Sequence, residues 1–245
     1  MKDSSIPEVN IEDFAPKLVQ KSGAKRTAFS GTFEPTFRCN NRCVHCYVNK
    51  PQDDDQEKGR ELTYPEICRI FDEIAEQGCL RLLLTGGDPL VREDFEDIYR
   101  YAKKKGFLIT LFTNGTLITP SLADFLKEFP PRFIEITLYG ATEGTYERVT
   151  RSPGSYGKCL EGIELLVQRN LPLKLKTVAM TLNRHEFMRI KRFVENLGLD
   201  FRFDALINQR IDGCRDLTEL RIAPREVMDL DLTDPKRRSG FVECY

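Results

Sequence analysis

No run of about 18 or more apolar residues occurs anywhere in the chain, which excludes a membrane-spanning helix. An excess of one charge is also missing. Lys and Arg number 37 against 38 Asp and Glu, a net charge of −1. There is thus no general electrostatic case for a nucleic acid or a membrane surface as partner. Cysteine is too sparse and too uneven, at eight in 245 residues, for a disulfide scaffold. Residues 1–10 are polar and acidic without an apolar core, so no signal peptide is expected. A clustered cysteine trio instead points to a metal site in a reducing compartment, and a cytoplasmic protein is expected.

What is present is the patterning of an α/β protein. Hydrophobic residues make up 40% and charged residues 31%, the balance of a globular chain. At 245 residues it can hold one large domain or two small ones. Residues 28–37 alternate loosely and read as a first strand. Residues 49–60 are polar and acidic and read as a solvated loop. Thr63 with Glu66 three positions on is a capping box, followed by Ile67, Ile70, Phe71 and Ile74 at helical spacing. Residues 80–84 are a nearly continuous apolar run, the pattern of a buried parallel strand. Helices are expected at 92–105, from Thr119-Pro120 onward, at 155–169 and from Phe187 to Leu197. Strands are expected at 107–112, 133–138, 173–180 and 201–207, and a weak helix near 224–230. Alternating strands and helices imply βαβ units and one parallel sheet, closed toward a barrel or open and doubly wound. In either arrangement ligands gather at the carboxyl ends of the strands.

One stretch carries the chemistry. Phe37 to Tyr47 reads Phe-Arg-Cys-Asn-Asn-Arg-Cys-Val-His-Cys-Tyr. Cys39, Cys43 and Cys46 place three thiols within eight positions, directly after the first strand. Soft thiolates in such a set select an iron–sulfur cluster, zinc or Cu(I). Three cysteines without an evident fourth suggest a cluster with one iron open. The competing arrangement is a zinc knuckle with His45 as fourth ligand, although His45 adjoins Cys46 and joint chelation is awkward.

The Cys-x3-Cys-x2-Cys spacing resembles the signature of the radical S-adenosylmethionine enzymes. That resemblance implies a [4Fe–4S] cluster on Cys39, Cys43 and Cys46, with S-adenosylmethionine chelated at the fourth iron. It implies reductive cleavage to a 5′-deoxyadenosyl radical that takes hydrogen from a substrate. It also implies a partial (β/α)6 barrel of parallel strands with helices outside. Further matches follow the cysteines. Gly86-Gly87-Asp88-Pro89 resembles the family's Gly-Gly-Glu-Pro turn, with Asp in place of Glu. Thr113-Asn114-Gly115 resembles the third-strand ending. Ile136-Thr137-Leu138-Tyr139-Gly140-Ala141 resembles the fourth-strand motif, with Tyr139 where Asp is usual. Arg148 follows as a candidate partner for the cofactor carboxylate, and Lys176 and Asn183 match positions on and after the fifth strand. The cofactor-binding residues implied are therefore Tyr47, Gly86, Gly87, Asp88, Pro89, Asn114, Thr137, Arg148 and Lys176. No catalytic side chain is assigned.

The resemblance divides the chain into an N-terminal extension (1–28), a barrel core (29–212) and a bridge (213–245). The closing Cys244 resembles the first cysteine of a C-terminal SPASM domain, which holds auxiliary [4Fe–4S] clusters. A truncated chain is expected on that ground. The substrate implied first is a ribosomally made peptide undergoing crosslinking, oxidation or epimerisation. A small molecule of cofactor or tetrapyrrole biosynthesis comes second. A flavodoxin or ferredoxin would supply the electron. Outside this class stands a non-catalytic iron–sulfur or zinc protein.

Overall fold

The apolar runs become six parallel strands, each leading into a helix. They are β1 (Ser30–Thr36), β2 (Arg81–Gly86), β3 (Leu108–Thr113), β4 (Phe133–Thr137), β5 (Leu173–Val178) and β6 (Asp200–Asp204). The structure is a computed structural model and describes residues 27–48, 50–234 and 237–239, with Pro16, Gln20, Gly23 and Ala24. Most of the expected N-terminal extension, and Cys244 at the expected start of a further domain, lie outside the described residues.

The strands pair in chain order, every neighbour parallel. Parallel neighbours need crossover connections, and the helices supply them. These are α1 (Tyr64–Glu76), α2 (Phe95–Lys104), α3 (Pro120–Glu128), α4 (Glu143–Thr150), α5 (Ser155–Gln168), α6 (Phe187–Asn196) and α7 (Pro224–Leu232). One strand face is apolar and lies under the helices: Leu82 and Leu84, Ile109 and Leu111, Ile134 and Ile136, Leu173 and Leu175 are all buried. They pack with Ile67, Phe71, Ile98, Tyr99, Leu126, Ile163 and Leu166 from the helices. Among the described residues β1 pairs only with β2, and β6 only with β5. The sheet is therefore open, a partial barrel whose inner face is incompletely covered.

Two expectations are corrected. The stretch 146–156, which resembles the family's loop after the fourth strand, instead begins inside helix α4 (Glu143–Thr150), capped by the Thr142 hydroxyl and ended by Arg151 in the left-handed region at φ 51°. Eight residues containing Gly144, two threonines and a valine give too short a period to read from sequence. The acidic stretch after residue 49 holds one helical turn, Asp55–Lys58, whose start is capped by the Asp54 carboxylate.

A buried ion network secures the end of β1. Glu61 accepts from Arg38 Nε at 2.7 Å, from Arg92 Nη1 at 3.3 Å and from the Thr36 hydroxyl. Arg92 also grips Asp94 and the carbonyls of Pro35 and Leu62. Arg38 and Arg92 are 6% and 9% exposed. Glu61→Ala removes the carboxylate shared by two buried guanidinium groups, leaving Arg92 with Asp94 and Arg38 with the Gln52 carbonyl, and is expected to cost roughly 1–3 kcal/mol, read as a lower denaturant midpoint.

Candidate functional site

The carboxyl ends of β1, β2, β3 and β4 converge on the cysteine loop. After β1 the segment Arg38–Cys39 pairs in parallel with Lys50–Pro51, pinching the loop at its base. The loop is then tied on two sides. Arg42 and Val44 donate their backbone N–H groups to the Thr150 and Val149 carbonyls at 2.9 Å, so the C-terminus of α4 holds the loop. Gly87 and Asp88 donate theirs to the Thr36 and Arg38 carbonyls, also at 2.9 Å.

The glycine pair has a steric reason. A Cβ on Gly87 would lie 2.2 Å from the Arg38 carbonyl oxygen and 2.4 Å from that of Phe37. One on Gly86, which sits at φ 118°, would lie 2.3 Å from the Thr36 oxygen. Close approach is thus made here to the chain's own cysteine loop.

Asp88 is fully buried, and its carboxylate serves the fold. It accepts from the Thr113 hydroxyl at 2.8 Å, from Asn114 N–H at 2.8 Å and from Leu90 N–H at 3.0 Å. It therefore joins the ends of β2 and β3, and the Pro89 turn starts on it. Burial raises its pKa from 3.8 to about 6, against these hydrogen bonds. The folded state thus binds this proton more tightly than the unfolded chain does. The stabilisation from that proton is complete below about pH 4 and is lost as pH rises through 6. A wild-type melting midpoint that declines over this window more steeply than that of Asp88→Asn is the expected result.

Asn114 reaches the loop directly. Its Nδ2 donates to Asn40 Oδ1 at 2.8 Å and faces Cys39 Sγ at 3.6 Å. Asn40 Nδ2 donates to the Thr116 hydroxyl at 2.7 Å. The Asn41 N–H also points at Cys39 Sγ, at 3.4 Å. Cys39 thus receives two N–H donors, the usual support of a sulfur that carries negative charge.

The three cysteines lie within electrostatic reach of one another, and none is in a disulfide. Burial, then the charge on Asp88 and Cys46, pushes the Cys39 thiol up to about 12. Burial, then Cys39 and Cys46, raises Cys43 well above its ordinary value. Thiolates that oppose one another in a desolvated chamber require a cation, and binding one displaces their protons. This donor set fits an iron–sulfur cluster, whose cysteines attach to separate iron atoms and share a chamber rather than a point. Among the described residues no three Cys, His, Asp or Glu side chains converge on a single-ion site. The zinc knuckle with His45 would need four ligands on one ion. His45 is instead driven down to a pKa of about 4 by burial and then by Lys176, with Nδ1 buried and without a hydrogen-bond partner.

The other expected positions fall as follows. Thr137 is buried at the end of β4, where it pairs in register with Lys176. Tyr139, buried beyond it, feels the charge of all three cysteines and makes a tilted ring contact with His45, centroids 4.9 Å apart. Tyr47 donates its hydroxyl to Glu34 at 3.2 Å, and its carbonyl accepts from Ile211 N–H. Lys176 Nζ lies 3.1 Å from Glu135 and 4.5 Å above the Phe112 ring. Arg148 is exposed on α4 and takes no part in the contacts above. Asn183 is buried and donates to the Tyr139 and Val178 carbonyls, tying the end of β5 to the segment after β4.

Sequence reasoning missed Asn40, Glu61 and Glu135. Only Glu135 carried a signal: a lone charge inside the apolar strand Phe133–Thr137. No helix among the described residues is long and apolar enough to cross a membrane.

A parallel α/β sheet with three cysteines on the loop after its first strand defines the class. The radical SAM superfamily model matches residues 33–194, more than half of the chain, and the protein belongs to that superfamily. Among curated relatives, an AdoMet-dependent heme synthase of Methanosarcina barkeri is 32% identical over 166 residues, covering 68% of this chain and 47% of its own length. A GTP 3′,8-cyclase of Clostridium perfringens is 31% identical over 175 residues, covering 70% and 53%. The chain thus spans about half the length of these relatives. Among solved structures, Streptococcus suis SuiB bound to precursor peptide SuiA aligns with a TM-score of 0.67 at 15% identity, over 97% of this chain and 55% of that one. At that identity the likeness concerns the fold.

Proposed function

We propose that the protein is a radical S-adenosylmethionine enzyme acting on a small molecule of cofactor or tetrapyrrole biosynthesis. The observation that carries the class is the mutual proximity of Cys39, Cys43 and Cys46 on one loop, with two N–H donors aimed at Cys39. Those cysteines would hold a [4Fe–4S] cluster. When bound, the cluster and S-adenosylmethionine supply reductive cleavage of the sulfonium and a 5′-deoxyadenosyl radical. The chain's own work is to place and shield these groups. Asn40, Asn114 and Asp88 fix the loop against β3, and α4 fixes its far side. Gly86, Gly87 and Thr137 are the residues that would line the cosubstrate site, on the resemblance of their motifs. His45 and Tyr139, in ring contact beside the cysteines, would help keep water from it. An electron donor of flavodoxin or ferredoxin type completes the proposal.

The substrate class rests on the two relatives described above, whose names specify heme and GTP chemistry. Maturation of a ribosomally made peptide, through a further domain with auxiliary clusters, is the second reading. Its support is the likeness of fold to the peptide-bound SuiB and a slightly lower sequence identity, 29% over 167 residues, to a PqqA peptide cyclase of Bradyrhizobium diazoefficiens. Anaerobic reconstitution with iron and sulfide, reduction, and chromatography for 5′-deoxyadenosine form the test. Formation of 5′-deoxyadenosine is expected. An iron-loaded protein that leaves S-adenosylmethionine intact would return the chain to the non-catalytic class, and uptake of zinc alone would favour the knuckle.

A further inference from the structure

The inner face of the sheet carries charge where a barrel core is ordinarily filled by branched apolar side chains. Glu135 of β4 is 2% exposed. Arg202 of β6 donates Nε and Nη2 to its two carboxylate oxygens, each at 2.6 Å. Lys176 of β5 adds its ammonium at 3.1 Å. The Phe112 ring of β3 backs both cations, 4.5 Å from Lys176 Nζ and 5.9 Å from Arg202 Cζ. Two cations thus meet one buried carboxylate. Their side chains are 20% and 44% exposed, so they, and not Glu135, face the open interior.

The neighbouring charges leave this excess in place. Lys174 and Asp200 neutralise one another at 2.7 Å at the opposite end of the strands. Asp204 acts on Arg202 from two positions along β6, but it is exposed at the rim and accepts from Leu206 N–H. Lys176 stands in register with Thr137, and its carbonyl accepts from Leu138 N–H at 2.8 Å; Tyr139, next along, is in ring contact with His45 of the cysteine loop, which sets Lys176 near that loop. A side-on guanidinium grip leaves the Nη1 edge turned away from Glu135, and an ammonium bonded to one oxygen keeps further donors.

We infer that Lys176 and Arg202, preorganised by Glu135 over Phe112, form an anion subsite that holds a carboxylate or phosphate of the substrate beside the cysteine loop. This rests on the function proposed above and narrows its substrate to an anionic one. Glu135 is a positioning residue: it fixes both cations in advance, so that binding need not order two long side chains.

The test is equilibrium binding to the reconstituted protein. Coproporphyrin III probes carboxylates by its absorbance shift, and GTP probes phosphates by calorimetry. One of the two is expected to bind. Lys176→Met and Arg202→Met should each weaken it by about tenfold or more, the scale of a lost charge-assisted hydrogen bond. Arg202→Lys should recover part of that loss. Lys174→Met, at the neighbouring neutral pair, should match wild type. Melting curves identify any variant that fails to fold, in which case Arg202→Lys against Lys174→Met decides. Equal affinities across the series overturn the inference, as does wild-type protein that binds neither probe. A Lys176→Met protein that loses S-adenosylmethionine affinity and keeps probe affinity also overturns it, and assigns Lys176 to the cosubstrate. Wild type that forms 5′-deoxyadenosine yet binds neither anion defeats this inference alone. Wild type that forms none defeats the proposed function, while the titration still decides the anion site.

Discussion

Cys43→Ala is expected to lose iron and 5′-deoxyadenosine formation together, each by more than about a hundredfold. The reference is the roughly 10–100-fold typical of disturbing only an outer partner of a metal ligand; a direct ligand should exceed it. Cys43 is the most enclosed of the three in electrostatic terms, raised by burial and by both other cysteines. Its raised pKa keeps the metal-free thiol protonated and uncharged, so truncating it should cost the metal-free protein only what loss of a small side chain costs. That combination separates a ligand from a structural cysteine. Cys159→Ala supplies the contrast: its side chain is fully buried between α5 and the sheet, and its loss should lower stability without lowering iron content. Iron assay, cluster absorbance and a melting curve on the three proteins check it. A Cys43→Ala protein that retains iron would remove Cys43 from the ligand set.

Gly87→Ala should disable the same site without touching a sulfur. The added Cβ would enter 2.2 Å from the Arg38 oxygen and 2.4 Å from the Phe37 oxygen. Both are backbone atoms at the entry to the cysteine loop, so no flexible side chain can yield. Either β2 withdraws from β1 or the loop shifts, and Cys39 moves with it. A cost at or above the roughly 1–3 kcal/mol of overpacking is expected, with loss of cluster loading. Gly157→Ala is the control. It lies within α5 with nothing inside 4 Å of its would-be Cβ, so alanine there should be neutral or stabilising by helix propensity. Near-normal iron content in Gly87→Ala would show that the loop tolerates displacement.

Much of this was written in the order of residues. Local periodicity decided the six strands and most helices, because each buries one face and repeats its apolar residues accordingly, as Ile67 and Phe71 do on α1. The cysteine spacing also stood in the sequence, because its three sulfurs lie on one short loop. Helix α4 did not, since eight residues carry too little period, and yet its last carbonyls hold that loop. Other roles depended on distant partners. Asp88 resembled a cosubstrate contact, but the arrival of Thr113 and Asn114 from β3 turned its carboxylate into a joint of the fold. The glycine pair was legible as a close approach; that the approaching group is the chain's own backbone required β1 and β2 to be set side by side. Glu135, Lys176 and Arg202 lie on three strands far apart in sequence, and only parallel registry stacks them on one inner face. Short-range pattern determines an element because its face must be buried. Which charges meet across the sheet is settled by packing alone.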